Sequence, residues 1–297
     1  MERKGGRLMN IIQKRKIWFS ISGAILILGL VLGLVRGLNF GIDFTGGTLM
    51  EINLNKYVST EEIREIVDQY DQSASINMLG EEKTIVQIRM KEDFDNEKRT
   101  EIFEDFKEKY NLTEDDFLRA DQFGPSVGKE IRRNALIAMF IAAIGMLIYI
   151  TFRFEFSFAI SAIIALTHDV LIVLAMYSIL RIPVNSPFVA AILTILGYSI
   201  NDTIVVFDRI RENMKFAKKV DYTQIANESI SQTITRSINT SVTTLITIVA
   251  LYVLGVDQIR EFALPLMIGV IAGTYSSVFI ASPIWVMIKE KQKKKHI

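Results

Sequence analysis

The chain has no cysteine and only two histidines among its 297 residues. The absence of cysteine excludes a disulfide framework and any thiolate metal or redox site. There is also no HExxH motif, which excludes a zinc metalloprotease of that type. The apolar residues, by contrast, make up 50% of the chain.

One motif resembles that of a hydrolase. Gly124, Ser126 and Gly128 match the G-x-S-x-G nucleophile elbow, between a predicted strand and a predicted helix. Such a serine needs a base within hydrogen-bond reach. His168 lies near the middle of an apolar stretch and His296 lies in the C-terminal tail, so neither can serve Ser126. The stretch is therefore interpreted as a glycine-rich hinge. The acidic residues of the apolar stretches lack the preceding Gly of aspartyl intramembrane proteases, so no enzyme is predicted.

Several apolar stretches approach or exceed the roughly 20 residues needed to cross a bilayer. They are Ile17–Val35, Asn134–Phe152, Phe156–Leu180, Pro187–Phe207, Ser237–Val256 and Phe262–Ile288. The first lacks a small-residue cleavage site and is interpreted as a membrane anchor, not a signal peptide. Basic residues concentrate in residues 1–16, after the fourth stretch and in the C-terminal tail, which predicts both termini in the cytoplasm. Residues 134–297 are accordingly predicted to form a five-helix membrane bundle with a basic tail.

Residues 36–133 form the one long segment between predicted spans. They carry an excess of about eight acidic charges, whereas the remainder has a basic excess of about nine. Alternating apolar residues predict strands, and Ser59 with Glu62 forms a capping box before an amphipathic helix. The predicted order βαββαβ is that of the split βαβ, or ferredoxin-like, fold. We therefore predict an extracytoplasmic ferredoxin-like domain, a fold that does not identify a function by itself.

Asp202 stands inside the fourth apolar stretch, between Asn201 and Thr203. An ionised Asp at bilayer depth costs about 2.5–3.5 kcal/mol, so it is normally paired, protonated or turned towards a cavity. Arg236 opens the fifth stretch, at a depth that matches Asp202 on an antiparallel neighbour. We predict that Asp202 faces a polar cavity bounded by the third and fifth spans, or a seam with a partner. Arg236 should be within reach, directly or through water. A structural hydrogen-bonding role for Asp202 and a boundary position for Arg236 stay open.

His168 and Asp169 stand near the centre of the third stretch. They are candidates for ion coupling or for a purely structural role, and the sequence favours neither. The fifth stretch is rich in Ser and Thr, which predicts either hydrogen bonds between helices or a water-lined groove.

Five motifs stand at matching positions along the predicted topology. They are Asn39–Thr48, Gly124–Gly128 with the basic helix start after it, Ala165–Asp169, Gly197–Glu212 and Arg236–Ser241. Together they resemble the signatures of the SecD/SecF family of protein-export membrane proteins, in the RND superfamily. Because only one set of about six spans is present, the resemblance is to a SecF standing alone and not to a fused SecDF chain.

The resemblance implies a helical membrane fold of the RND/SecDF type, with six transmembrane helices and one small ferredoxin-like domain between the first two. It implies a multi-pass protein of the cytoplasmic membrane that assists Sec-dependent export by means of a proton or sodium motive force. SecD would be an obligate partner in a heterodimer. The other implied partners are SecYEG, SecA, YajC, YidC, unfolded preproteins and membrane lipids, with no nucleic acid. No cofactor or metal is expected apart from the coupling ion.

The family implicates the Asp of the fourth-span motif and the Arg that opens the next span in ion coupling, and those positions match Asp202 and Arg236. The full set of candidate ion-coupling residues is Asp202, Arg236, Asn201, Thr203, His168 and Asp169. The candidate extracytoplasmic entry motif is Gly41, Asp43, Gly46 and Gly47.

The entry motif, Gly41–Gly47, is predicted to form a turn-rich start of the sheet, packed near the membrane surface. Adjacent glycines permit positive φ and close backbone approach. The carboxylate of Asp43 can cap local N–H groups. A flexible linker is the alternative.

Two other functions stay open. An RND-type exporter of small amphiphiles would normally have two such halves and larger outer domains, and the single small domain argues against it. A passive membrane scaffold would differ in that Asp202 would be dispensable.

Overall fold

The computed structural model describes residues 10–80, 82–217 and 221–295. It divides into two compact units. One contains the chain up to residue 39, residues 137–182 and the chain from residue 187 onward; it is called the membrane unit below. The other contains residues 40–136 and 183–186 and is called the α/β unit.

The elements are numbered in chain order. The helices are α1 (Arg15–Arg36), α2 (Ile42–Thr45), α3 (Thr60–Val67), α4 (Asn96–Tyr110), α5 (Pro125–Arg153), α6 (Phe156–Leu180), α7 (Ser186–Phe216), α8 (Tyr222–Leu254), α9 (Asp257–Ser276) and α10 (Ser282–Lys295). A π-helical segment, Ser277–Ala281, joins α9 to α10. The strands are β1 (Gly47–Asn53), β2 (Ser75–Leu79), β3 (Ile85–Met90) and β4 (Phe117–Phe123).

In the described part of the chain, six helical stretches are long and apolar enough to cross a membrane. They are α1, most of α5, α6, α7, α8 and the run Ile259–Lys294, which joins most of α9 and α10 through the π segment. Several helices extend beyond the predicted spans. For example, α8 begins at Tyr222, where the Asp221 carboxylate accepts a hydrogen bond from Gln224 N at 3.1 Å. Caps of this kind determine where a helix ends, whereas the predicted spans were delimited by the length of the apolar stretch. The limits of the spans in the membrane therefore stay predictions.

Small residues allow close helix packing in the membrane unit. A Cβ atom added to Gly29 of α1 would lie 2.3 Å from the Ala175 Cβ of α6. The Ser178 hydroxyl of α6 donates to the Gly29 carbonyl at 2.9 Å. A Cβ on Gly273 of α9 would lie 2.8 Å from the Ser199 Cβ of α7. These glycines bring together the helices that carry the polar residues discussed below.

The π segment has a local cause. Pro283 lacks an N–H, and its ring would clash with the carbonyl of the residue four positions earlier in a regular α-helix. Widening the preceding turn relieves that clash. The Ser282 hydroxyl donates to the Ser277 carbonyl at 3.0 Å, across the widened turn. This hydrogen bond to its carbonyl stabilises the position of Ser277 within the π segment.

The α/β unit contains a four-stranded antiparallel sheet with the strand order β2-β3-β1-β4. Its buried apolar residues come from the sheet and from α3 and α4, and include Ile52, Ile88, Ile63 and Phe103. The predicted cap of α3 is confirmed, since the Ser59 hydroxyl accepts from Glu62 N at 3.3 Å. The elements occur in the predicted order βαββαβ, with two additions: the short helix α2 before β1 and a 3-10 turn, Glu114–Asp116, before β4.

Candidate functional site

The side chain of Asp202 is buried in the membrane unit. Its residue is 7% exposed, and its Oδ2 atom has no hydrogen-bond partner. Ser237 of α8 is fully buried, and its hydroxyl also lacks a partner. A buried carboxylate oxygen without a hydrogen-bond donor costs free energy, so the position of Asp202 is unfavourable for an ionised side chain that has no further partner.

Ser237 and Arg236 of α8 are neighbours of the Asp202 carboxylate, the serine through a hydroxyl that lies outside hydrogen-bond geometry and the arginine through its charge. Arg236 itself is exposed, and its nitrogens form no ion pair with Asp202 within 4.0 Å. The predicted direct pairing of Arg236 with Asp202 is thus absent, and a link through water stays a prediction.

Arg236 lines a cavity of about 620 Å³ between α7 and α8. The charged residues of this cavity are Asp208, Arg209, Arg211, Glu212, Lys215 and Arg236. Several of them are paired: Arg211 donates to Asp208 at 2.9 Å and Arg209 to Glu212 at 2.6 Å. Asp202 is not among the lining residues, and this cavity lies between the fourth and fifth helices, not between the third and fifth. That Asp202 faces a polar cavity therefore stays a prediction.

The neighbours of Asp202 in the sequence point in different directions. Asn201 is exposed, whereas Thr203 is buried. The Thr203 hydroxyl lies 2.8 Å from the Ser277 hydroxyl of the π segment and donates to the Ser199 carbonyl at 3.3 Å. Thr203 therefore ties α7 to the π segment next to Asp202.

Asp169 is fully buried, and both oxygens of its carboxylate are hydrogen-bonded. Its Oδ2 accepts from the Ser199 hydroxyl at 2.6 Å and from the Ser276 hydroxyl at 2.9 Å. Its Oδ1 lies 3.1 Å from His168 Nδ1. His168 Nε2 in turn lies 2.9 Å from the Ser22 hydroxyl of α1. Asp169 thus joins α6, α7 and α9, and His168 extends the connection to α1.

Four of the six candidate ion-coupling residues form two pairs. His168 and Asp169 belong to one hydrogen-bonded cluster, and Asp202 and Arg236 lie at another place between α7 and α8. Ser199, one turn before Asp202, connects α7 to the first pair. The sequence interpretation missed the hydroxyls of Ser22, Ser199, Ser276 and Tyr275. The only available signal was the presence of single polar residues in apolar helices.

The Gly41–Gly47 stretch forms the short helix α2 and the start of β1. Gly46 and Gly47 have φ of 80° and 130°, and a Cβ on Gly47 would lie 2.1 Å from the Met90 carbonyl oxygen. Both positions therefore require glycine. The Asp43 carboxylate accepts from Ser186 N at 2.8 Å, so it caps the first residue of α7 and not a local N–H group. The Gly41 N–H also donates to the Val184 carbonyl, at 2.7 Å.

The G-x-S-x-G motif has a packing role at its last glycine. A Cβ on Gly128 would lie 2.7 Å from the Phe44 carbonyl oxygen, so the backbone of α5 approaches α2 closely there. Ser126 is exposed. His168 is bonded to Ser22 and Asp169, as described above. In the described residues, no group of three or more His, Asp or Glu side chains could hold a metal ion.

The fold and these sites define a multi-pass membrane protein with a helical unit of the RND type and a small α/β unit. The family described as protein export membrane protein SecD/SecF, C-terminal, matches residues 100–291, and the SecD/SecF GG motif matches residues 31–58. The chain therefore belongs to the SecD/SecF family.

Individual relatives agree with that membership. Protein translocase subunit SecF of Sebaldella termitidis is 37% identical over 96% of this chain and 93% of its own length. Protein translocase subunit SecDF of Bacillus subtilis is 40% identical over 95% of this chain, and the chain spans 38% of that relative. The crystal structure of SecDF from Thermus thermophilus superposes with a TM-score of 0.87 at 34% identity. That match covers 98% of this chain and 40% of the other.

Proposed function

We propose that this chain works in protein export as a SecF-type subunit and that it couples export to ion movement through Asp202. The support for the export role is membership of the SecD/SecF family and the near full-length similarity to proteins named protein translocase subunit SecF. The chain matches only part of the SecDF relatives, so SecD is the proposed partner that supplies the rest. SecYEG, SecA, YajC, YidC and unfolded preproteins are proposed partners on the strength of the resemblance alone.

The single observation that carries ion coupling is the unpartnered oxygen of Asp202. A carboxylate that must exchange an ion needs a free oxygen, because a fully hydrogen-bonded carboxylate has nowhere to receive one. Asp202 has a free Oδ2 and Asp169 does not. Buried acidic groups in membrane helices are also functional sites by default. Asp202 is therefore the proposed group that binds and releases a proton or a sodium ion.

Arg236 is the proposed partner that responds to the state of Asp202. Its charge acts on the carboxylate, yet the two groups form no direct ion pair, and Arg236 lines a polar cavity. When Asp202 is ionised, attraction draws the guanidinium towards it; when Asp202 is neutral, the guanidinium turns to the cavity. This change would alter the packing of α7 against α8, because a buried charge without a partner is costly. Thr203 would hold α7 in place next to Asp202 through its contact with Ser277, and Asn201 is proposed on the resemblance alone.

The proposed arrangement in the membrane places both termini in the cytoplasm, as the basic tails predict. The α/β unit would then lie outside, and its element order and strand order support a ferredoxin-like fold. Gly41, Asp43, Gly46 and Gly47 would form its entry, since they start β1 and cap α7.

The experiment is an Asp202→Asn variant, assayed for preprotein export in membrane vesicles that contain SecD and an imposed proton or sodium gradient. The amide keeps the shape of the carboxylate but removes its ability to exchange an ion. We expect the gradient-dependent stimulation of export to be lost, with normal assembly with SecD. Glu228→Gln is the control, since Glu228 lies on α8 outside the cavity lined by Arg236 and accepts from the Gln224 side chain at 2.9 Å; it should export normally. Full gradient-dependent export by Asp202→Asn would refute the coupling role and favour a passive scaffold.

A further inference from the structure

A series of polar contacts, one of them long, connects Asp169 to the backbone of α1. His168 Nδ1 lies 3.1 Å from Asp169 Oδ1, and His168 Nε2 lies 2.9 Å from the Ser22 hydroxyl. The Ser22 hydroxyl is 3.5 Å from the Tyr275 hydroxyl, which donates to the Trp18 carbonyl at 2.8 Å. We call this series of groups the His168 relay.

With neutral His168, every group of the relay is satisfied in one arrangement. His168 carries its proton on Nδ1 and donates it to Asp169, because a carboxylate can only accept. Nε2 is then an acceptor, and Ser22 donates its single hydroxyl proton to it. Tyr275 donates to the Trp18 carbonyl.

The same heavy atoms also satisfy a protonated His168. Both ring nitrogens then donate, so Nε2–H donates to the Ser22 oxygen. The Ser22 proton rotates to the Tyr275 oxygen, which is free to accept because its own proton is bound to the Trp18 carbonyl. Proton uptake therefore requires only the rotation of one hydroxyl and a shortening of the Ser22–Tyr275 contact.

The charged state also has a counter-ion. Asp169 faces His168 from α6, and the Tyr275 ring of α9 stacks against the imidazole with centroids 6.1 Å apart and planes 20° apart. An aromatic face and a carboxylate both stabilise an imidazolium. On the other side, Ser22 and His168 line a cavity of about 310 Å³ whose remaining walls are mostly apolar. In such surroundings an imidazolium is tolerated only with these partners.

We propose that His168 is a second protonation site of the membrane unit, separate from Asp202, and that Ser22 and Tyr275 allow it to hold either charge state. Asp169 is then the fixed counter-ion and not an exchanging group. The inference deepens the proposed ion coupling and depends on it for the role of His168 in export. The protonation itself can be measured without any export assay.

The test uses the fact that the chain has only two histidines. Full-length protein with His296→Gln, labelled with ¹⁵N-histidine and placed in lipid nanodiscs, has one histidine signal set. The ¹⁵N shifts of Nδ1 and Nε2 are followed from about pH 8 to about pH 5, the range in which histidine changes charge. We expect the Nδ1–H tautomer at high pH and the imidazolium at low pH. A histidine that stays neutral throughout, or that starts as the Nε2–H tautomer, overturns the proposal.

Three variants test the relay in the same experiment. Ser22→Ala removes the hydrogen bond at Nε2 in both charge states, but the bond to the imidazolium is the stronger one, so the ratio of imidazolium to neutral imidazole should fall by about threefold to tenfold at a given pH. Tyr275→Phe keeps the stacked ring but removes the acceptor for Ser22, and should lower that ratio by less. Asp169→Asn offers an amide N–H to Nδ1, so it should convert the neutral ring to the Nε2–H tautomer.

Ser161→Ala is the control, because Ser161 is buried on α6 but donates to the Ser157 carbonyl at 2.8 Å, outside the relay. It should leave the titration unchanged. Equal shifts in Ser161→Ala and Ser22→Ala would mean that general packing controls the titration, and the relay would be wrong. Failure of the Asp202→Asn export test would leave these spectra unaffected, so failure of the two proposals can be distinguished.

Discussion

Asp169 and Asp202 are both buried in the membrane unit, but their surroundings differ. The Asp169 carboxylate is bonded to two serine hydroxyls and to His168, and it connects four helices directly or through that histidine. Asp202 has an oxygen with no partner, and the guanidinium of Arg236 forms no ion pair with it. Two carboxylates in the same bundle are therefore suited to different tasks.

The difference shows that the hydrogen bonds to a buried carboxylate indicate its role. They distinguish a carboxylate that stabilises helix packing from one that binds and releases an ion. A carboxylate with hydrogen bonds to both of its oxygens holds one arrangement of helices together. A carboxylate with an unbonded oxygen loses less when its contacts change. Burial alone would not have distinguished the two.

The largest expected effect is that of Asp169→Leu. The leucine side chain has the same branched shape as that of aspartate but is apolar. It leaves the hydroxyls of Ser199 and Ser276 and the Nδ1–H of His168 without their acceptor. We expect a loss of stability on the order of 3 kcal/mol, since each buried unsatisfied donor costs about 1–3 kcal/mol and the serines can partly turn to backbone carbonyls. The measurement is thermal unfolding of the purified full chain in one detergent. An unchanged unfolding midpoint would show that Asp169 does not hold the helices together.

An intermediate loss of stability is expected when Asp71 of the α/β unit is replaced. Both oxygens of its carboxylate are hydrogen-bonded, as they are in Asp169. The Asp71 carboxylate accepts from Ser73 N at 2.7 Å, from the Ser73 hydroxyl at 2.6 Å and from Lys91 N at 2.7 Å. Burial acts to raise the pKa of Asp71, but these hydrogen bonds outweigh it and the pKa falls below its ordinary value of 3.8. The carboxylate therefore contributes stability above that value, and the contribution is lost as the pH falls through the lowered pKa.

Asp71→Asn tests this contribution, because the amide turns an N–H group towards Lys91 N. We expect the α/β unit to lose about 1–3 kcal/mol at neutral pH. The loss should shrink below pH 3.8, where the wild-type carboxyl becomes protonated. Hydrogen exchange of the β3 amides in the full chain measures it. A pH-independent difference between variant and wild type would mean that packing, and not the charge, is responsible.

The sequence predicted features that depend on local patterns. Apolar length predicted the stretches that form the long helices, and a polar residue in an apolar run identified Asp202 and Asp169. The Ser59 cap was predictable because it involves residues three positions apart.

Contacts between distant residues could not be predicted. Ser22 contacts His168, which is 146 residues away in the chain, and Ser276 donates to Asp169, which is 107 residues away. Asp43 was predicted to cap local N–H groups but caps Ser186, 143 residues away. A single serine in an apolar helix looks the same whether it faces lipid or a buried carboxylate. Which of these applies is decided by the packing of the helices.

The smallest expected effect on stability is that of Asp202→Leu, and it completes the comparison with Asp169→Leu. The substitution removes a buried carboxylate oxygen that has no partner and leaves behind no donor that was bonded to it in the structure. Replacing poorly paired buried charges by apolar residues is often neutral or stabilising. We therefore expect the unfolding midpoint in the same detergent to stay within the equivalent of about 1 kcal/mol of the wild type, or to rise. If Asp202→Leu destabilised the chain as much as Asp169→Leu, both carboxylates would be structural, and the assignment of ion exchange to Asp202 would lose its basis.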